Sequence, residues 1–87
     1  MIANLPIDYQ NLYSTKDLFE ASFLYAVGCK FVGLKTEDKR VYYFLFENKN
    51  ECEKLIVSFW NKSAQVSAKE YADAIRTLKD MIYKERK

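Results

Sequence analysis

Arg40 to Phe46 reads RVYYFLF, a strand that is apolar on both of its faces. Side chains alternate across a strand, so Val41, Tyr43 and Leu45 point one way while Tyr42, Phe44 and Phe46 point the other. A hairpin with one wet face shows clean alternation of apolar and polar residues, and this run does not. Both sides need cover, and 87 residues leave few elements to provide it. The run predicts packing between subunits or against a partner, and it carries no chemistry of its own.

A chain of this size buries roughly 60–65% of the surface its unfolded form exposes, so it makes one domain of modest stability. Apolar residues at 49% and aromatic residues at 16% favour a packed globule over disorder. The net charge of +2 is too small to mark a nucleic-acid binder by electrostatics alone. The first ten residues have neither a basic nor an apolar leader pattern, and no stretch approaches the ~18 apolar residues of a membrane span. The expectation is a cytoplasmic protein with no membrane partner.

Along the chain, residues 1–12 read as an arm, in which Ile7, Tyr9 and Leu12 alternate as a short edge strand would. Ser14 fits a helix N-cap, with Asp17 three residues on and Tyr13 and Leu18 at staple positions. That helix is predicted from Thr15 to Val27, stopping at Gly28. Lys30 to Lys35 and Arg40 to Glu47 form a hairpin around Thr36, Glu37, Asp38 and Lys39, with Gly33 marking a bulge or a close approach. Asn48 or Asn50 caps a second helix bearing Cys52, Leu55, Ile56 and Phe59 on one face, with Trp60 beside them. The last helix has a full Ser67–Glu70 capping box, a Val66–Tyr71 staple and a core stripe of Tyr71, Ile75, Leu78 and Ile82. The predicted fold class is α+β: a single small domain over residues 13–87, ordered α-β-β-α-α. Its antiparallel hairpin, with a third short strand as an option, packs on the helices.

Chemistry is conspicuous by what is missing. There is no histidine, hence no usual general base and none of the commonest metal ligand. Two cysteines, Cys29 and Cys52, are 23 residues apart, too few for a structural zinc site, and are expected as reduced, small buried hydrophobes. Neither a phosphate-binding loop nor a dinucleotide fingerprint can be built with only Gly28 and Gly33. No catalytic residue, cofactor or metal is expected. Lys30, Lys35, Lys39 and Arg40 do border a hairpin bearing Phe31, Tyr42, Tyr43, Phe44 and Phe46. Rings for stacking and cations for the backbone are what single-stranded nucleic acid requires. The competing reading makes those rings core and the lysines guards of a strand edge, and the near-neutral charge favours it.

An ordered set runs through these elements: Tyr13-Ser14-Thr15-Lys16-Asp17-Leu18, then Val41 to Glu47, Phe59-Trp60, Val66-Ser67-Ala68-Lys69-Glu70-Tyr71 and Leu78-Lys79. It resembles a family of short domains of unknown function found in bacteria and their phages, over about Tyr13 to Tyr83. The resemblance implies a phage or mobile-element origin and supplies no catalytic residue. The expected function is a non-enzymatic binding module that forms homo-oligomers through Phe31, Tyr42, Phe44 and Phe46 or the apolar end of the first helix. The alternatives are a single-strand-binding accessory protein using Lys30, Lys35, Lys39 and Arg40, or a phage inhibitor of a host protein or of a nucleotide signal.

Overall fold

The computed structural model describes residues 9–38 and 40–86. Lys39 and most of the expected N-terminal arm, residues 1–8, therefore lie outside the described residues. A 3-10 turn at Tyr9–Asn11 leads into β1 (Leu12–Thr15), followed by α1 (Leu18–Ala26), β2 (Phe31–Thr36), β3 (Tyr42–Glu47), α2 (Lys49–Trp60) and α3 (Ala68–Glu85). The three strands form one antiparallel sheet in the order β1-β3-β2. The expected α+β class holds, and the optional third strand is present.

That strand corrects the expected start of the first helix. Ser14 does not cap it; Ser14 pairs with Leu45 inside β1, and Tyr13 and Thr15 pair with Phe46 and Phe44. Asp17 is the N-cap instead, its Oδ1 accepting the amide protons of Phe19 at 2.8 Å and Glu20 at 3.0 Å. Two cap signals overlap here by three residues, Ser14 with Asp17 and Asp17 with Glu20. Pairing with β3 claims the first, because Tyr13 and Thr15 then cover aromatic rings of the central strand.

At its far end α1 closes as expected at Gly28, whose φ of 100° suits glycine. Gly28 N–H donates to the Tyr25 carbonyl at 3.3 Å and Cys29 N–H to the Leu24 carbonyl at 3.0 Å, the paired bonds of a Schellman turn.

RVYYFLF is the source of the central strand, which explains why it is apolar on both faces. Tyr42, Phe44 and Phe46 face the helices and are buried with Leu34, Phe23, Leu24, Cys52, Ile56 and Leu78. A bulge between Phe31 and Gly33 adds one residue to β2, so Phe31 and Leu34 reach the same face although an odd number of residues apart. On the opposite face, Leu45 and Leu12 are buried as well and Tyr43 is half-buried. Burying a ring such as Phe44 contributes roughly 1.5–3 kcal/mol. The hairpin loop is shaped by Asp38, whose Oδ1 accepts the amide protons of Arg40 at 3.0 Å and Val41 at 3.2 Å.

The remaining helices follow their caps. Asn48 at φ 67° starts α2, with Glu51 N–H donating to its side chain, and Ser67 Oγ accepts from Glu70 N–H at 3.3 Å to start α3. Val66 and Tyr71 both pack on the core beside that cap. α1 packs against both α2 and α3. No helix among the described residues is long and apolar enough to cross a membrane.

Candidate interaction surface

The four hairpin residues named for an interface on sequence grounds form no open surface patch, whereas at the apolar end of α1, the other expected contact, Tyr25 and Val27 are exposed. Tyr42, Phe44 and Phe46 are buried inside the one chain, against its own helices. Phe31 is half-buried, with its ring 5.5 Å from Phe46 and 6.0 Å from Tyr25. Tyr42, Phe44 and Phe46 are core and Phe31 packs against it, because the helices cover this face of the sheet. With β1 on its free edge, β3 sits mid-sheet and its helix-side rings are covered within the domain.

The cations named with them are dispersed. Lys30 pairs with Glu47 at 3.5 Å at one end of the hairpin, and Arg40 is exposed at the other. Lys35 pairs with Tyr43 across the strands, on the face away from the helices. Of the five hairpin aromatics only Tyr43 shares that face; the rings that bases would stack upon point the other way.

A different constellation gathers where the first turn of α1, the last turn of α2 and the first turn of α3 meet. It is built on Glu20. In a capping box the N3 carboxylate reaches back to the N-cap amide. Here that amide, on Asp17, already donates to Thr15 Oγ1 at 3.1 Å. The Glu20 carboxylate is left to others. Its Oε1 accepts from the Tyr13 hydroxyl at 2.9 Å and the Thr15 hydroxyl at 3.0 Å, and its Oε2 accepts from the Trp60 indole N–H at 2.6 Å. Three neutral donors from β1 and α2 thus hold one carboxylate on α1. Hydrogen bonds to an ionised acceptor are the stronger kind, so Glu20 fastens three elements together. Burial, and then the bond to Glu20, push the Tyr13 phenol well above its ordinary range.

Trp60 is the unusual member. Its ring meets Phe59 edge-on at 5.2 Å, and Phe59 lies 5.2 Å from buried Phe23, so a file of aromatic rings runs from core to surface. Although tethered by its N–H, Trp60 remains 59% exposed. Val57, one turn earlier on the same side of α2, is 63% exposed, and Phe19, next to Glu20 on α1, is 55% exposed. Backbone beneath Phe19 is itself pinned, since the Tyr71 hydroxyl of α3 donates to the Phe19 carbonyl at 3.2 Å. An exposed tryptophan usually wanders among rotamers; this one is held.

The sequence places Phe59 on the apolar face of the second helix, where it packs on the core, and gives Trp60 beside it no role. The available signal was the Asp17-x-x-Glu20 spacing, which puts a carboxylate at N3. The 40 residues between Glu20 and Trp60 hid what it would meet. Among the described residues no group of three or more Cys, Asp or Glu converges to hold a metal ion.

Comparison with known families finds a match over residues 10–84 to a family described as a domain of unknown function, DUF5659. The chain belongs to this family. The match begins within the 3-10 turn and ends inside α3, so a DUF5659 domain takes in all three strands, α1, α2 and the whole Glu20–Trp60 constellation. No curated protein and no solved structure matches the chain.

Proposed function

We propose that this DUF5659 domain is a non-enzymatic binding module that associates with a second copy of itself through the surface formed by Trp60, Val57 and Phe19. The observation that carries it is a tryptophan anchored by a carboxylate yet more than half exposed. Tryptophan is the residue most enriched at binding hot spots, and a ring already fixed loses little freedom on contact. A second copy fits because the carboxylate at the centre, Glu20, already accepts from three donors. Two such patches can meet about a twofold axis without burying an unpaired charge. The single-strand-binding alternative loses support, since its rings and cations lie mostly on opposite faces of the sheet.

Sedimentation velocity over a wide concentration range tests this. The expected result is a monomer–dimer equilibrium that Trp60→Ala or Val57→Glu shifts to monomer while circular dichroism stays that of the parent. A parent that remains monomeric at high concentration overturns self-association. The surface would then belong to a different protein, such as the host target that a phage inhibitor engages.

A further inference from the structure

The two cysteines, distant in sequence, meet in the fold. The Schellman turn at Gly28 delivers Cys29 to the end of α1. One residue on, the Lys30 carbonyl accepts from Glu47 N–H at 3.0 Å, tying this segment to the end of β3. α2 begins just beyond, and from it Cys52 turns back so that its S–H donates to the Glu47 carbonyl at 3.4 Å. Both sulfurs therefore sit over one backbone crossing. They line the same open cleft of about 460 Å³ with Val27, Lys30, Glu47 and Leu55, close enough for the thiols to interact directly. Access divides them. Cys29 is half-buried at the cleft wall, whereas Cys52 behind it is 1% exposed. Both are free thiols.

We propose that Cys29 and Cys52 form a thiol–disulfide exchange pair whose substrate class is a small-molecule or peptide disulfide entering the cleft at Cys29. Cys29 gives its proton to solvent, and its thiolate attacks one sulfur of the incoming disulfide. A Cys29–substrate disulfide forms, and the first substrate thiolate leaves and takes up a proton. Cys52 then loses its proton and attacks the Cys29 sulfur. The Cys29–Cys52 bond forms and the second substrate thiolate leaves. Two protein thiols are oxidised by two electrons and one external disulfide is reduced to two thiols, so no further co-reactant is needed.

The order follows from access, because an external molecule reaches Cys29 and not Cys52. The second step is favoured because the resolving thiol is already in place. Burial raises the Cys29 thiol above its ordinary value and, with Cys29 as its neighbour, pushes Cys52 up to about 12. The resting pair is uncharged, and its exchange is correspondingly slow at neutral pH.

The test treats the full native chain with graded ratios of oxidised to reduced glutathione, quenches with acid, and reads intact mass and peptide maps. The parent should become lighter by two hydrogens, with the Cys29 and Cys52 peptides joined and little glutathione adduct. Cys52→Ser should stop at the adduct on Cys29, accumulating it at least ~10-fold over the parent, as an intramolecular second step requires. Cys29→Ser should leave Cys52 unmodified until the chain is denatured. A parent that accumulates the Cys29 adduct as readily as Cys52→Ser overturns the proposal. So does a native parent that keeps both thiols where its denatured chain forms the bond. Because the parent's own peptide map decides the matter, the proposal stays testable if either variant fails to fold.

Discussion

The central strand and the last turn of α2 are both rich in aromatic residues, YYFLF in one and FW in the other, yet the fold uses them in opposite ways. In β3, Tyr42, Phe44 and Phe46 are sealed against the helices. At the end of α2 the rings run outward, from Phe59 to a Trp60 that faces solvent while its N–H is held by Glu20. Aromatic density therefore marks burial in the first region and presentation in the second. The difference lies in the neighbours. The helices cover the rings on one face of the central strand, whereas a large ring exposed at a helix end holds a single orientation only if something fixes it there. The carboxylate on α1 is that fixture.

Truncating the buried set should have the largest effect. Phe44→Ala removes a ring with no exposed surface from the middle of the sheet. The expected loss is about 3–5 kcal/mol, comparable with the whole stability of a small domain. Urea melts should show a chain largely unfolded or barely folded in buffer. A cost below about 1 kcal/mol would mean that β3 is not the centre of the core.

Alkaline pH probes the same inner region without mutation. Burial raises Tyr13 well above its ordinary 10.0, raises Cys52 from 9.0 to about 12, and raises Cys29 as well. Above pH 9 the unfolded chain gives up these protons while the folded chain keeps them, so the folded state binds more protons and stability falls as pH rises. It should be complete below about pH 9 and drain away toward pH 12. Melting curves across that window check this, and Cys52→Ala should flatten the decline. Trp60 has no proton to lose there, though Tyr13, its neighbour on Glu20, does.

Glu20→Gln addresses the joint between the two regions. An amide keeps one acceptor and gains a donor, so it cannot satisfy Tyr13, Thr15 and Trp60 together. The expected cost is about 1–3 kcal/mol, the range for losing hydrogen bonds to a charged group. Trp60 fluorescence should report greater mobility by a fall in its steady-state anisotropy. Unchanged anisotropy would show that Phe59, and not Glu20, fixes the ring.

Much of this fold could be read from the chain because its signals are local. Gly28, Asn48 and Ser67 end or begin helices through bonds to residues three to five positions away, Gly28 and Ser67 where the sequence puts them and Asn48 as one of two candidates with Asn50. Gly33, which marks a bulge or a close approach in the sequence, stands at the bulge in β2. The start of α1 was misplaced because Ser14 and Asp17 are equally good caps locally, and only pairing of Tyr13 and Thr15 with β3 decides between them. The burial of Tyr42, Phe44 and Phe46 within the one chain is hidden for a related reason. Whether RVYYFLF is a central or an edge strand depends on a third strand contributed from 30 residues away. Both the Glu20–Trp60 tether and the Cys29–Cys52 pair join residues that no local pattern connects.

The smallest effect is expected at the turn that holds Trp60 in place. α2 ends as α1 does. Lys62 N–H donates to the Phe59 carbonyl at 3.3 Å and Ser63 N–H to the Ser58 carbonyl at 3.0 Å, the same Schellman pair seen at Gly28. But the residue in the left-handed position is Lys62, at φ 67°, where α1 has glycine. A side chain there costs about 1–2 kcal/mol, because its Cβ crowds the following carbonyl. Lys62→Gly removes that strain and adds some freedom to the unfolded chain, which takes back part of the gain. A net stabilisation of about 0.5–1 kcal/mol should remain, visible as a higher urea midpoint with an unchanged slope. Tryptophan anisotropy should hold or rise, since the turn follows the ring directly. A destabilised Lys62→Gly would mean that the Lys62 side chain makes a compensating contact at this helix end, and that the two helix ends differ in more than the residue at the turn.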